Sequence, residues 1–208
     1  MLMARVRPLL IVIAVSSIAG ACAEGPRSPV SPANLDPAPT AQINGPIASA
    51  PAPRQPAAKY EQDFMMGMID HHEMAIQMAQ ICLDKAVHEE LRQTCEEIIA
   101  AQRAEQQQMQ TWLSQWYGIS YQPQMKPGDM RMMERLASLS GAEFEIEFME
   151  MMIRHHRKAV REGEQCVRKA YHHELIEMCH DIIAAQTAEI QQFEQWLCQW
   201  YDRCGGSR

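Results

Sequence analysis

An internal repeat is the feature that most constrains this chain. Aligned with itself at an offset of 84 residues, the sequence matches residues 64–118 to residues 148–202 without a gap. About half of the matched positions are identical, and they include a His-His pair, two cysteines and two tryptophans in each copy. A chain with an internal repeat of this kind is expected to fold as two copies of one supersecondary unit.

Each copy has the hydrophobic spacing of two helices. In the first copy, apolar and small side chains recur at intervals of three and four residues over residues 64–82 and again over residues 91–116. The break between these segments, around residues 85–88, is too short for anything but an antiparallel hairpin. The sequence shows no alternation typical of a strand.

Two such hairpins predict an all-α fold, an up-down four-helix bundle. The bundle is expected to span residues 60–202. It would consist of hairpin repeats 60–118 and 148–202, a connector over residues 119–147 with a short helix near Met130–Leu139, and a tail over residues 203–208.

The first 59 residues are expected to lie outside the fold. Residues 1–21 have the pattern of an export signal, with an arginine-containing start, an apolar run and small residues before Cys22. This arrangement resembles a bacterial lipobox, in which the cysteine is acylated, and ordinary signal cleavage is the alternative.

Residues 22–59 are rich in Pro, Ala and Ser and predict a disordered tether. An exported cell-envelope lipoprotein, periplasmic or on the outer surface, is therefore predicted, with membrane contact through the lipid anchor only.

The charge of the folded part bears on its partners. Residues 60–208 carry 14 Lys and Arg against 24 Asp and Glu, without a basic patch. Nucleic acid is therefore not expected as a partner, whereas a cation is an expected partner.

The pairing of two chains into a homodimer is left open. The sequence contains no nucleophile–base arrangement, phosphate loop or open three-ligand zinc motif, so we do not expect an enzyme.

Seven cysteines in a chain with an export signal indicate disulfides. Cys82 and Cys95 lie symmetrically about the first hairpin turn, and Cys166 and Cys179 repeat that spacing. Each pair is expected to form a disulfide within its own hairpin. Two buried free thiols, or a thiol pair that binds a soft metal, are the alternatives.

The remaining pair, Cys198 and Cys204, stands where the first copy has Ser114 and Ser120. A spacing of six does not place both side chains on one face of a helix. Two glycines after Cys204 would let the chain turn back, so a third disulfide is predicted, with a free or metal-binding pair as the alternative.

Polar side chains interrupt the core stripe of each hairpin at the same height. Counting away from Cys82 and Cys95 along both helices places His71 opposite Glu105, with Gln102 one turn away. A buried carboxylate needs a partner, and the histidine is the obvious one, directly or through a metal. The second copy repeats the arrangement with His155, Glu189 and Gln186.

The adjacent histidines His71 and His72 point about 100° apart on a helix, so they cannot both chelate one metal as an i, i+4 pair can. One is expected to face the bundle axis, and the other a neighbouring helix or solvent.

Met68 lies three residues before His71. Imidazole with thioether sulfur is a soft ligand set that suits copper, Cu(I) above all. Methionine stripes are also common core filler, and a His–Glu–Gln cluster can be a network that only fixes helix register.

At these residues the chain resembles a known bacterial family. The motif M-x-x-H-H, the later run I-I-A-A-Q-x-A-E and a closing W-L are similar to domain of unknown function 305, over nearly all of residues 60–202. The resemblance implies an exported, ferritin-like four-helix bundle, with members linked to copper binding and copper tolerance. The residues that it implies at the metal site are Met68, His71, His72, Gln102, Glu105, Met152, His155, His156, Gln186 and Glu189.

Two features depart from the family pattern. The hairpin cysteines are not part of the motif. Arg157 and Lys158 stand where the first copy has Glu73 and Met74, which adds positive charge near His156 and predicts weaker cation binding by the second copy.

The sequence therefore predicts an extracytoplasmic protein that binds a metal, with copper suspected, for sequestration, handover or tolerance. A metal-free envelope scaffold is one alternative. A ferritin-like metallo-oxidase is another, but it needs Glu-x-x-His on two helices, which the spacings do not give.

Overall fold

The computed structural model describes residues 55–205. The predicted signal, Cys22 and most of the predicted tether lie outside these residues. The described part contains α-helices and no strand, so the all-α prediction is confirmed for it. The helices are α1 (Gln55–Lys85), α2 (Glu89–Tyr117), α3 (Pro127–Ser138), α4 (Gly141–Lys169) and α5 (His173–Tyr201). None of these helices is both long enough and apolar enough to cross a membrane.

Two helix starts differ from the sequence prediction, and proline explains both. α1 begins at Gln55, inside the segment predicted as tether, with Pro56 in its first turn. α3 begins at Pro127, ahead of the predicted start near Met130. Proline is tolerated in a first turn because N–H groups there have no intrahelical partner.

The two hairpins pack together through α1 and α4, which run in opposite directions. Glu61, near the start of α1, accepts hydrogen bonds from backbone N–H groups of Tyr171 and His172, just after α4. Glu145, near the start of α4, accepts them from residues 87–88, just after α1. Because α2 is antiparallel to α1, α2 and α4 run in the same direction. The order is therefore not the simple up-down alternation that the sequence predicts.

The connector explains this difference, because it runs along α1 from one end of the bundle to the other. Near its start, the Tyr121 hydroxyl and the Gln124 N–H donate to the carboxylate of Asp70, at 2.9 and 2.8 Å. Near its end, the Lys85 ammonium donates to the Leu139 carbonyl at 3.0 Å. The next helix therefore starts at the opposite end from where α2 stops.

A buried glutamate from each hairpin closes the turn of the other hairpin. Glu145 accepts hydrogen bonds from the N–H groups of Val87 and His88 at 2.6 and 2.9 Å, from His88 Nδ1 at 2.6 Å and from the Tyr201 hydroxyl. Glu61 makes the equivalent contacts with the N–H groups of Tyr171 and His172, the His172 ring and the Tyr117 hydroxyl. Both glutamates are fully buried.

These hydrogen bonds decide the ionisation of the two carboxyl groups. Burial would raise the pKa of Glu145, but hydrogen bonds from Tyr201, His88 and Val87 outweigh it and lower the pKa. The pKa of Glu61 is lowered in the same way, with its own partners outweighing burial. Each turn therefore closes on a carboxylate anion, which accepts stronger hydrogen bonds than a neutral acid does.

The sulfur atoms of the predicted cysteine pairs lie at bonding distance: 2.07 Å for Cys82–Cys95, 1.97 Å for Cys166–Cys179 and 1.94 Å for Cys198–Cys204. The first two pairs are fully buried, and each closes a loop with a sequence separation of 13. A disulfide around a loop of that size stabilises a fold by about 3 kcal/mol in the chain-entropy account. The third pair lies at the exposed end of α5.

Candidate metal centre

Four histidines form a continuous row across the middle of the bundle, where α1 meets α4. The His71 and His155 rings stack with their centroids 3.5 Å apart and their planes 28° apart. The His72 ring lies 6.5 Å from His71, and the His156 ring lies 5.9 Å from His155. All four side chains are buried. The two copies of the repeat therefore meet at the centre of this histidine row.

A carboxylate lies at each end of the histidine row. His72 Nε2 is hydrogen-bonded to Glu105 Oε2 at 2.6 Å. His156 Nε2 lies 2.7 Å from Glu189 Oε2, but without the alignment of a hydrogen bond. The second histidine of each pair reaches the carboxylate, so the predicted contact of His71 with Glu105 is wrong. Counting from the disulfide gives the height along the helix, but one residue changes the direction by about 100°.

Most nitrogens in the histidine row form no hydrogen bond to the described residues, although His156 Nε2 lies close to Glu189. Both ring nitrogens of His71, His155 and His156, and Nδ1 of His72, are buried without a hydrogen bond from residues 55–205. A buried polar atom without a partner costs about 1–3 kcal/mol, so such a cluster calls for an explanation. Lone pairs on imidazole nitrogens are what a transition-metal ion would bind.

Burial keeps the two central rings neutral. It lowers the pKa of His71 to about 2, with help from electrostatic repulsion by the neighbouring His72, Lys158 and His156. It also lowers the pKa of His155 well below its ordinary value, and the neighbouring histidines add to that effect. Neutral imidazole is the form that can donate a lone pair to a metal.

A partly open pocket of about 400 Å³ leads from solvent to His71 and His155. Three methionines line it: Met74 from α1, Met151 from α4 and Met132 from α3. Charged residues also line it: Asp70, Lys126, Asp129, Arg154, Lys158 and Glu162. The pocket therefore combines neutral nitrogen and sulfur donors with charges of both signs.

These three methionines lie outside the predicted set of site residues, and none of them is repeated between the two copies. Met74 corresponds to Lys158, Met151 corresponds to Gly67, and Met132 lies in the connector. A signal was nevertheless present. Met74 follows the first His-His motif at i, i+3 from His71, and Met151 precedes His155 at i, i+4, which places each methionine on the same helix face as its histidine.

The other predicted site residues have different surroundings. Met68 and Met152 are fully buried within the hydrophobic core and do not line the pocket. Gln102 and Gln186 are buried, and each has a side-chain oxygen without a partner in the described part of the chain. Within residues 55–205, His, Cys, Asp and Glu side chains do not by themselves converge in a group of three or more that could hold a metal ion.

Known proteins resemble the chain over most of the bundle. The family model described as domain of unknown function (DUF305) matches residues 61–197. CopM in the Cu(I)-bound form is 34% identical, with a TM-score of 0.62 over 68% of this chain and 97% of CopM. A DUF305 fragment from Deinococcus radiodurans is 26% identical, with a TM-score of 0.61 over 69% of this chain and 99% of the fragment. No curated protein matches the chain. Because the family model covers well over half of its length, the chain belongs to the DUF305 family.

Proposed function

We propose that this protein binds copper as Cu(I) at the histidine row, and that it acts in metal sequestration, handover or tolerance. The observation that carries the proposal is the contact of His71 with His155. Both rings are buried and have nitrogens without partners, and both line a pocket that opens to solvent. Solved structures of CopM include Cu(I)-bound, Cu(II)-bound and Ag-bound forms, which supports a soft metal ion as the cargo.

The proposed centre is shared between the two copies of the repeat. His71 belongs to the first hairpin and His155 to the second, and their rings are in contact. Two independent sites of unequal strength, as the sequence predicted, fit this arrangement poorly. A shared centre implies that a change in either hairpin affects the same bound ion.

A binding role suits the donor set better than catalysis does. The histidine row has imidazole nitrogens at its centre and one carboxylate at each end, Glu105 and Glu189. A ferritin-like metallo-oxidase needs a centre that is rich in carboxylates. The metal-free scaffold has one observation in its favour, because Met68 and Met152 pack in the core as ordinary apolar side chains.

The test of the proposed function is a competition titration with a Cu(I) chelator. We expect His71→Ala and His155→Ala each to weaken Cu(I) binding by about tenfold or more, because each removes a nitrogen ligand worth at least about 1.4 kcal/mol. His180→Ala, which changes an exposed histidine on α5, is the matched control and should bind as the wild type does. Equal affinities across the variants, or no binding by the wild type, would leave the scaffold as the better explanation.

We also propose that the bundle is exported and held at a membrane by acylated Cys22. The signal-like pattern of residues 1–21 supports this, as do three cysteine pairs at bonding distance, because disulfides persist in oxidising compartments. Mass spectrometry of the N-terminal peptide should detect an acyl group on Cys22, and Cys22→Ser should move the protein to the soluble fraction. An unmodified Cys22 in membrane-bound protein would contradict the proposal.

A further inference from the structure

We propose that the sulfur ligands of the copper site are Met74, Met132 and Met151, which lie outside the family motif. This inference rests on the proposed copper binding and names the ligands that complete the site. It differs from the assignment that the motif implies, in which Met68 and Met152 would supply the sulfur.

The positions of the three methionines carry the inference. Met74, Met132 and Met151 line the same pocket as His71 and His155. Methionines from three separate helices therefore line the pocket that His71 and His155 also line. Thioether sulfur and neutral imidazole nitrogen together favour Cu(I), whereas Mg²⁺ and Ca²⁺ favour oxygen ligands.

The motif methionines do not line this pocket, although Met152 belongs to the same core cluster as Met151, and Met74 packs against that cluster. Met68 is fully buried in a core cluster with Ile69 and Met109. Met152 is fully buried in the other cluster, with Phe148 among its members. Side chains enclosed in this way act as packing, and methionine is common in that role.

The solvent exposure of α3 is a second observation. Met130 and Met132, both on α3, are 49% and 41% exposed and are two of the four large exposed apolar side chains in the described part of the chain. Of these two side chains, Met132 also lines the pocket. Met132 is therefore a pocket methionine that an ion from solvent could contact.

The test compares two sets of Met→Leu substitutions, which keep side-chain volume and apolarity but remove sulfur. The pocket variant carries M74L, M132L and M151L, and the core variant carries M68L and M152L. We expect the pocket variant to bind Cu(I) at least about tenfold more weakly in the chelator competition, and the core variant to bind like the wild type. X-ray absorption at the copper edge should show copper–sulfur scattering in the wild type and the core variant, and less of it in the pocket variant.

The other outcomes contradict the inference about the sulfur ligands, and one of them also contradicts the proposed function. If only the core variant loses affinity, the motif methionines are the ligands and the inference is wrong. If both variants bind like the wild type while His71→Ala weakens binding, the inference fails and the proposed function stands. If the wild type does not bind Cu(I), both fail. Unfolding midpoints of the metal-free variants, compared with the wild type, separate loss of ligands from loss of fold.

Discussion

Replacing Glu145 by alanine is expected to lower the free energy of unfolding by about 3–5 kcal/mol, the usual cost of removing one partner of a buried charged network. The carboxylate accepts hydrogen bonds from two backbone N–H groups, a histidine ring nitrogen and a tyrosine hydroxyl. Without it, these donors lose their shared acceptor at the turn of the first hairpin. Glu61→Ala should have a similar effect at the turn of the second hairpin.

Chemical denaturation of the metal-free protein measures this effect. Glu164→Ala is the matched control, because it removes an exposed glutamate from the same helix and should change stability by no more than about 0.5 kcal/mol. A Glu145→Ala protein as stable as this control would show that the contacts between the hairpins contribute little.

Lowering the pH from 7 to 5 should destabilise the metal-free protein by about 2 kcal/mol through His71 alone. In the unfolded chain the ring takes up a proton near its ordinary pKa of 6.5, whereas in the folded protein burial lowers the pKa to about 2. Protons therefore bind preferentially to the unfolded state, and stability falls as the pH drops below 6.5. His155 adds to the loss, because its pKa is lowered for the same reason.

Denaturation midpoints at pH 7, 6 and 5 test this prediction, with a chelator present so that no metal contributes. A His71→Gln/His155→Gln variant should lose most of the pH dependence, while the surface variant His180→Gln should keep it. Below about pH 4.5 a further loss is expected, since Glu61 and Glu145 have lowered pKa values and their stabilisation disappears as they are protonated. A flat wild-type profile between pH 7 and 5 would contradict the assignment of neutral, buried rings.

The repeat allowed the hairpins to be predicted, because helix periodicity and the symmetric cysteines are local features. The direction of α4 relative to α1 was not predictable in this way. Residues 119–147 are long enough either to turn back or to run the length of the bundle, and periodicity does not distinguish the two. The contacts that select the second path join residues far apart in sequence, such as Tyr121 with Asp70 and Lys85 with Leu139.

The sequence also predicted only part of the candidate site. The motif identified the four histidines, but the choice between His71 and His72 as partner of Glu105 depends on helix rotation, which spacing along one helix does not determine. Glu61 and Glu145 were missed although they obey the same offset of 84, because they lie just before the aligned segment. Their position four residues before Met65 and Met149 placed them on the buried stripe of their helices.

The reciprocal contacts of Glu61 and Glu145 have the geometry of an isologous interface, the kind that joins the two subunits of a twofold-symmetric dimer. A true dimer must place the same side chain on both sides of its axis. A single chain with two hairpins is free of that requirement, and at the axis this chain departs from symmetry: Met74 faces the pocket together with Lys158, and Met151 together with Gly67. Covalent linkage of the two halves therefore permits an asymmetric cavity at a symmetric contact, which a pair of identical subunits could not form.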